Sequence, residues 1–235
     1  MINSKTSFIS LRQSLKVSWP ICVGYFPLGF ACGVLAQKAG LTPMEIGLLS
    51  IIVFAGSAQF IAVSMLLNGA GLLSIIATTL IVNLRHILMS SSLSVFLSDA
   101  NKKFLLLFGY GITDETFAIN LNQFENAQWD KYQALSVNHI ANFVWVFSNV
   151  AGGIIGLKVS TDFFGISYSL TAMFIGLIVF NLKNKIQIIT GITSGLIAVV
   201  LSLHFKGSFY IIIASVTAAA LGYFLKQKIN KKTAA

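Results

Sequence analysis

Eight apolar runs, each long enough to cross a bilayer, fill this chain almost end to end. They lie at 17–36, 44–67, 72–97, 104–122, 137–157, 163–182, 186–204 and 207–225. A helix needs about 20 consecutive apolar residues to span the hydrocarbon core. Of 235 residues, 56% are hydrophobic and only 10% charged, far from the roughly one quarter charged of a soluble domain. So much apolar surface cannot be packed into one soluble core of this length. The fold class expected is an all-α polytopic membrane protein with about eight transmembrane helices, some discontinuous. Residues 1–16 read as a cytoplasmic amphipathic segment, 17–225 as one transmembrane domain and 226–235 as a basic tail.

A net charge of +9 raises the question of nucleic acid, and its distribution answers it. Lys5, Arg12 and Lys16 precede the first run, and Lys226, Lys228, Lys231 and Lys232 follow the last. Charges at span ends are the signature of topology and lipid headgroups, and no nucleic-acid partner is expected. With the N-terminus inside, Lys131, Lys183 and Lys185 join these seven to make ten cytoplasmic basic residues. Five fall outside, namely Lys38, Lys102, Lys103, Lys158 and Lys206. Both termini are therefore expected in the cytoplasm. Lys102 and Lys103 fit badly: if one run is re-entrant the count becomes seven and the C-terminal half inverts. Cys22 and Cys32 share the first run about 15 Å apart along a helix, too far for a disulfide.

Polar residues inside the runs carry the functional information. The first run, SWPICVGYFPLGFACGVL, holds Pro20 and Pro27 among Gly24, Gly29 and Gly33. It is either a proline-bearing helix packed through Gly29 and Gly33, or a discontinuous helix whose open ends bind substrate. The second contains VFAGSAQF, where Gly56, Ser57, Ala58 and Gln59 form a small polar interruption able to face a ligand. The third places Asn83, Arg85 and His86 mid-run. A central arginine costs at least about 2.5–3.5 kcal/mol on insertion scales and needs protein, water or an acid beside it. Apart from Glu45 at the edge of the second run, Asp114 and Glu115 in the fourth are the only acids within any run. Neighbours on a helix point about 100° apart, so one acid can meet Arg85 while the other changes protonation, as in a proton relay. A purely structural ion pair is the alternative. In the fifth run Asn138, His139 and Asn142 share a face with Trp145 one turn on, and Gly152 and Gly156 offer a packing face. LIVNLR (80–85) echoes LIVFNLK (177–183) in oppositely directed runs, as an inverted repeat would.

Enzyme chemistry finds no support. There is no HExxH, GxSxG, Cys/His cluster or GxxxxGK[ST] loop, so no metal, cofactor, catalytic residue or ATP hydrolysis is expected. The residues alone describe a small helical transporter or channel and leave its substrate open.

The stretches GYFPLGFACGVLAQKAGLTPMEIGLLSIIVFAGSAQF, NLRHILMSSSL, TDETFA and AMFIGLIV resemble the AzlC family, of the YgaZ or BrnF type, over about residues 14–185. The resemblance implies the large subunit of an inner-membrane exporter of the branched-chain amino acids valine, leucine and isoleucine, and sometimes methionine. It implies a small AzlD/YgaH-type partner of about four helices and, with no ATPase subunit expected, coupling to the proton-motive force. On that reading Pro27, Gly29, Gly56, Ser57, Ala58, Gln59, Asn83, Asn142 and Trp145 are candidate substrate contacts, and Arg85, Asp114 and Glu115 the ion-coupling group. A passive channel, an importer of another metabolite or a non-transporting assembly subunit are the alternatives.

Overall fold

The computed structural model describes residues 4–126, 129–158 and 185–204, with isolated positions at 168, 175, 217 and 220–222. Two compact units divide at residue 169/170, inside the single domain expected over 17–225. The sixth and eighth predicted runs, apart from those isolated positions, and the LIVFNLK echo lie outside the described residues. Among these, every regular element is helical.

Unit one is built on a pair of long helices, α1 (Ser4–Lys38) and α8 (Lys131–Gly156). α1 is continuous through both prolines, which overturns the reading of the first run as a broken helix. Pro20 and Pro27 sit on its exposed face, away from α8, where lost backbone bonds do not disturb packing. The helix also runs on across residue 16, so the N-terminal segment and the first run are one element. Gly40, at φ 93°, closes it in the left-handed region. α1 and α8 lie parallel, because Ser14 meets Gln133, Tyr25 meets Ser148 and Val34 meets Gly156 in order along both. Small residues make the contact: Gly29 lies on Ser148 and Asn149, Gly33 on the Asn149 carbonyl and Gly152 on the Phe30 carbonyl.

The second and fourth runs do not cross. Each folds as a helical hairpin that enters and returns. α2 (Pro43–Ile52) starts at a Thr42/Glu45 capping box and ends at Val53. α3 (Gly56–Leu67) then runs back beside it, with Gln59 against Ser50 and Val63 packed with Ile46. α6 (Lys102–Tyr110) and α7 (Asp114–Glu125) repeat the arrangement around Gly111–Thr113. Arms of 9 to 12 residues are about 14–18 Å long, half the thickness of a hydrocarbon core. Between the hairpins, α4 (Leu72–Asn83) and α5 (Arg85–Ser94) form one 26-residue apolar span with the turn at Val95–Leu97, distorted at Leu84.

Contacts at one end fix the hairpin directions. Asp99 pairs with Lys131 at 2.5 Å, the Phe104 ring meets Tyr132, and Phe96 stacks on Phe124 at 5.3 Å. Gln133, one turn into α8, holds Gln13. Lys102 and Lys103 therefore lie at the same end as Arg12, Lys16 and Lys131, which corrects their placement at the end opposite the N-terminus. The α2–α3 hairpin enters from the opposite end, where Ile46 and Val63 pack on Ala36. Residues 11–67 and 72–125 are each a long helix followed by a broken hairpin, in inverted orientation. Within unit two, α9 (Lys185–His204) matches the seventh run.

Burial is inside out for a soluble protein. Leu73, Leu80, Leu88, Trp19 and Phe143 are exposed, while Ser50, Gln59, Thr116, Asn120, Asn138 and Asn149 are fully buried. A lipid-facing surface around a polar interior produces that pattern. Outside the membrane, the Lys131 ammonium donates to Asp99 and holds its carboxyl below the usual range. A depressed carboxyl stabilises above its ordinary value and loses that contribution as pH falls through the folded-state value. Asp99→Asn should thus melt slightly below wild type at neutral pH, and the gap should close as pH falls through the folded-state value; thermal melts in detergent check it.

Candidate functional site

The two hairpin tips meet, and Arg85 lies between them. Breaking α2 before Gly56 frees the carbonyl of Ile51, which would otherwise accept from Ala55 four residues on. The hydroxyl of Tyr110, at the end of α6, donates to that carbonyl. Asn142 of α8 in turn donates to the Tyr110 oxygen at 3.1 Å, and the Phe54 and Tyr110 rings sit 6.3 Å apart. One tip thus repairs the backbone of the other.

The N-terminus of α3 has no side-chain cap. Its first N–H groups have no intrahelical acceptor, and the helix dipole places partial positive charge there. Gln59 is held rather than free: its Oε1 accepts from Trp145 Nε1 at 2.5 Å and its Nε2 donates to Ser50 at 3.3 Å. Gly56 packs close against the same tryptophan, since a Cβ there would lie 3.1 Å from the Trp145 ring and push it by a few tenths of an ångström. Gly111 plays that part at the other tip, where a Cβ would come within 2.5 Å of Asn138. Asn138 bonds Asn120 at 2.8 Å and the Phe108 carbonyl at 3.1 Å, fixing both arms of the second hairpin to α8.

Arg85 Nη2 donates to Ser57 Oγ at 2.5 Å, and Nη1 pairs with Asp114 at 2.8 Å. The cation therefore ties the first turn of α3 to the first turn of α7. Its Nε, and the Oδ1 of Asn83 just before the α4–α5 distortion, are buried with no hydrogen-bond partner. Glu115 points elsewhere. Its Oε2 accepts from the Tyr25 hydroxyl at 2.6 Å, and that hydroxyl also lies 2.7 Å from Thr113 Oγ1. The Tyr25 ring stands edge-on to Trp145 and Phe54, at 5.3 and 6.3 Å.

Of the residues singled out from sequence, Gly56, Ser57, Ala58, Gln59, Arg85, Asp114, Glu115, Asn142 and Trp145 lie around the two tips, and Asn83 ends α4 two residues before Arg85. Pro27 and Gly29 do not, because Pro27 is exposed and Gly29 is occupied by Ser148 and Asn149. His139 turns Nδ1 back to the Leu135 carbonyl at 2.9 Å. Ser50, Tyr25, Tyr110, Thr113 and Thr116 also belong to the network, and among their neighbours only Gly111, packed on Asn138, marks a close approach. Among the described residues no group of His, Cys, Asp and Glu could hold a metal ion.

The AzlC protein family profile matches residues 20–159, which holds both hairpins, α4, α5, α8 and the C-terminal half of α1. The chain belongs to the AzlC family. An uncharacterized membrane protein of Archaeoglobus fulgidus is 30% identical over 86% of this chain and 89% of its own length. The branched-chain amino acid transport protein AzlC of Bacillus subtilis is 28% identical over 94% of this chain and 87% of its own. The inner membrane protein YgaZ of Escherichia coli is 27% identical over 75% of each. No solved structure matches the chain. Family membership and the lipid-facing surface agree on a membrane protein, and every residue of the tip network lies within the matched region.

Proposed function

We propose that this chain is the large subunit of a secondary exporter of branched-chain amino acids in the bacterial inner membrane. One observation carries the reading: an uncommitted donor, Arg85 Nε, lies buried beside two converging half-helix N-termini, and an uncommitted acceptor, Asn83 Oδ1, lies buried two residues before it in the chain. A zwitterion supplies the complement of each. Its carboxylate suits Arg85 Nε and the uncapped N–H groups of Gly56, Ser57 and Ala58, and its ammonium suits Asn83. Phe54 and the rings around it offer an apolar wall for valine, leucine, isoleucine or methionine. The names of the Bacillus and Escherichia relatives favour the same substrate class and membrane.

Proton-motive force is the proposed drive, with Arg85, Asp114 and Glu115 as the coupling group. Both termini face the cytoplasm in this reading, and a small AzlD/YgaH-type membrane protein is the partner. Valine counterflow in proteoliposomes containing both subunits tests the substrate, and saturation separates a carrier from a channel. Asp114→Asn and Glu115→Gln should each reduce pH-driven efflux at least about tenfold. Full pH-driven efflux in both variants would sink the coupling.

A further inference from the structure

The two acids at the start of α7 are adjacent, yet their surroundings divide them. Asp114 has a fixed counter-charge in Arg85 at 2.8 Å. Glu115 has none in contact; its partner is a hydroxyl, on a residue the transport reading does not use. From α5 the charged group reaching α7 is Arg85, committed to Asp114, while His86 lies about 100° further round the helix. From α8 the groups meeting α7 are amides, Asn138 on Asn120. From α1 it is Tyr25.

Beyond Tyr25 the oxygens continue in a line. Tyr25 Oη lies 2.7 Å from Thr113 Oγ1, Thr113 Oγ1 3.3 Å from Thr116 Oγ1, and Thr116 Oγ1 3.1 Å from the Gly111 carbonyl. Every link but the last joins two groups that can each give or take a proton. With Glu115 ionised, Tyr25 donates to the carboxylate and Thr113 donates to Tyr25. With Glu115 protonated, its O–H donates to Tyr25, Tyr25 to Thr113, Thr113 to Thr116, and Thr116 to Gly111. The heavy atoms need not move; only the donor directions reverse. Asp114 has no such chain, and protonating it would strand the Arg85 cation.

We infer that Glu115 is the acid that exchanges the proton, that Tyr25 is its positioning residue, and that Asp114 stays ionised as the anchor of Arg85. The wire ends on the Thr113/Thr116 cap and the Gly111 tip. It thereby links the protonation state of Glu115 to the break in the second hairpin, while the Tyr25 ring carries the link to Phe54 and Trp145 at the first. The inference deepens the transport reading and rests on it only for its flux measurement.

Infrared difference spectra of the reconstituted full chain, stepped between acid and alkaline pH, test it without any substrate. The wild type should show a protonated-carboxyl band that Glu115→Gln removes. Tyr25→Phe keeps the ring against Trp145 and Phe54 but deletes the acceptor, so the band should persist at a displaced frequency. It should also lower pH-driven valine flux about tenfold. A band that survives Glu115→Gln, or keeps its frequency in Tyr25→Phe, overturns the assignment even if valine is transported. A band that behaves as stated in a chain without saturable valine counterflow upholds the assignment and removes the transport reading instead.

Discussion

Replacing Arg85 with methionine is expected to lower valine transport at least about a hundredfold and to lower the melting temperature as well. The side chain holds Ser57 at the head of α3 and Asp114 at the head of α7, so its loss unties the hairpin tips. It also leaves Asp114 without a counter-charge. Removing one partner of a buried pair costs about 3–5 kcal/mol. Both side chains here are about one third exposed, at 36% and 33%, which brings the expectation down to about 1–3 kcal/mol. The charge-neutral double variant, Arg85→Met with Asp114→Asn, should recover most of that stability, because neither charge is then stranded. It should not recover transport, because the Nε donor is still missing. Thermal melts and counterflow on the three proteins separate the roles. If the double variant transports like wild type, Arg85 only holds the tips together.

That a buried arginine needs an acid was legible from LIVNLRH and TDETFA alone, since cost and remedy both follow from residue type. Which acid it meets was not. Asp114 and Glu115 are adjacent and chemically alike, and only the direction from which α5 approaches α7 chooses between them. The hairpins were hidden for a related reason. A helix that enters half the membrane and returns is the same length, and as apolar, as one that crosses it. The runs at 44–67 and 104–122 therefore read as ordinary spans. Two signs pointed the other way: VFAGSAQF and FGYGITDE place small residues at mid-run, and Lys102 and Lys103 fell on the wrong side of a crossing topology. Both follow once the runs turn back.

The first run read as a candidate for a broken helix because proline suggests a break wherever it occurs. Whether a helix breaks depends on which face the ring occupies, and Pro20 and Pro27 both occupy the face away from α8. The place of Tyr25 in the network was hidden for a different reason. Within GYFPLGF it is one aromatic among several, and nothing in its neighbours records that its hydroxyl reaches a carboxylate 90 residues away. Long-range pairings of single polar atoms leave no periodicity to read.

Gly33→Val is expected to leave little folded protein, while Gly24→Ala in the same helix should stabilise it. The sign is set by what a Cβ meets. At Gly33 it would land on the carbonyl oxygen of Asn149, with that carbonyl carbon at 2.8 Å and the Gly153 nitrogen at 2.9 Å. These are backbone atoms of α8, and no rotamer change relieves the overlap, so α1 must move. Overpacking against mobile side chains costs about 1–3 kcal/mol, and against backbone the upper end is the minimum to expect. At Gly24 nothing lies within 4 Å, and alanine gains up to about 1 kcal/mol of helix propensity. Melting temperatures in detergent should therefore move in opposite directions, and a Gly33→Ala protein that melts with wild type would mean α1 and α8 do not pack through this face. The face also bears on function. Tyr25 lies two turns from Gly33, and Ser148 holds its carbonyl. Separating the helices there draws the hydroxyl away from Glu115, so any Gly33→Ala protein that folds should resemble Tyr25→Phe in its carboxyl band and flux, although residue 33 touches neither acid.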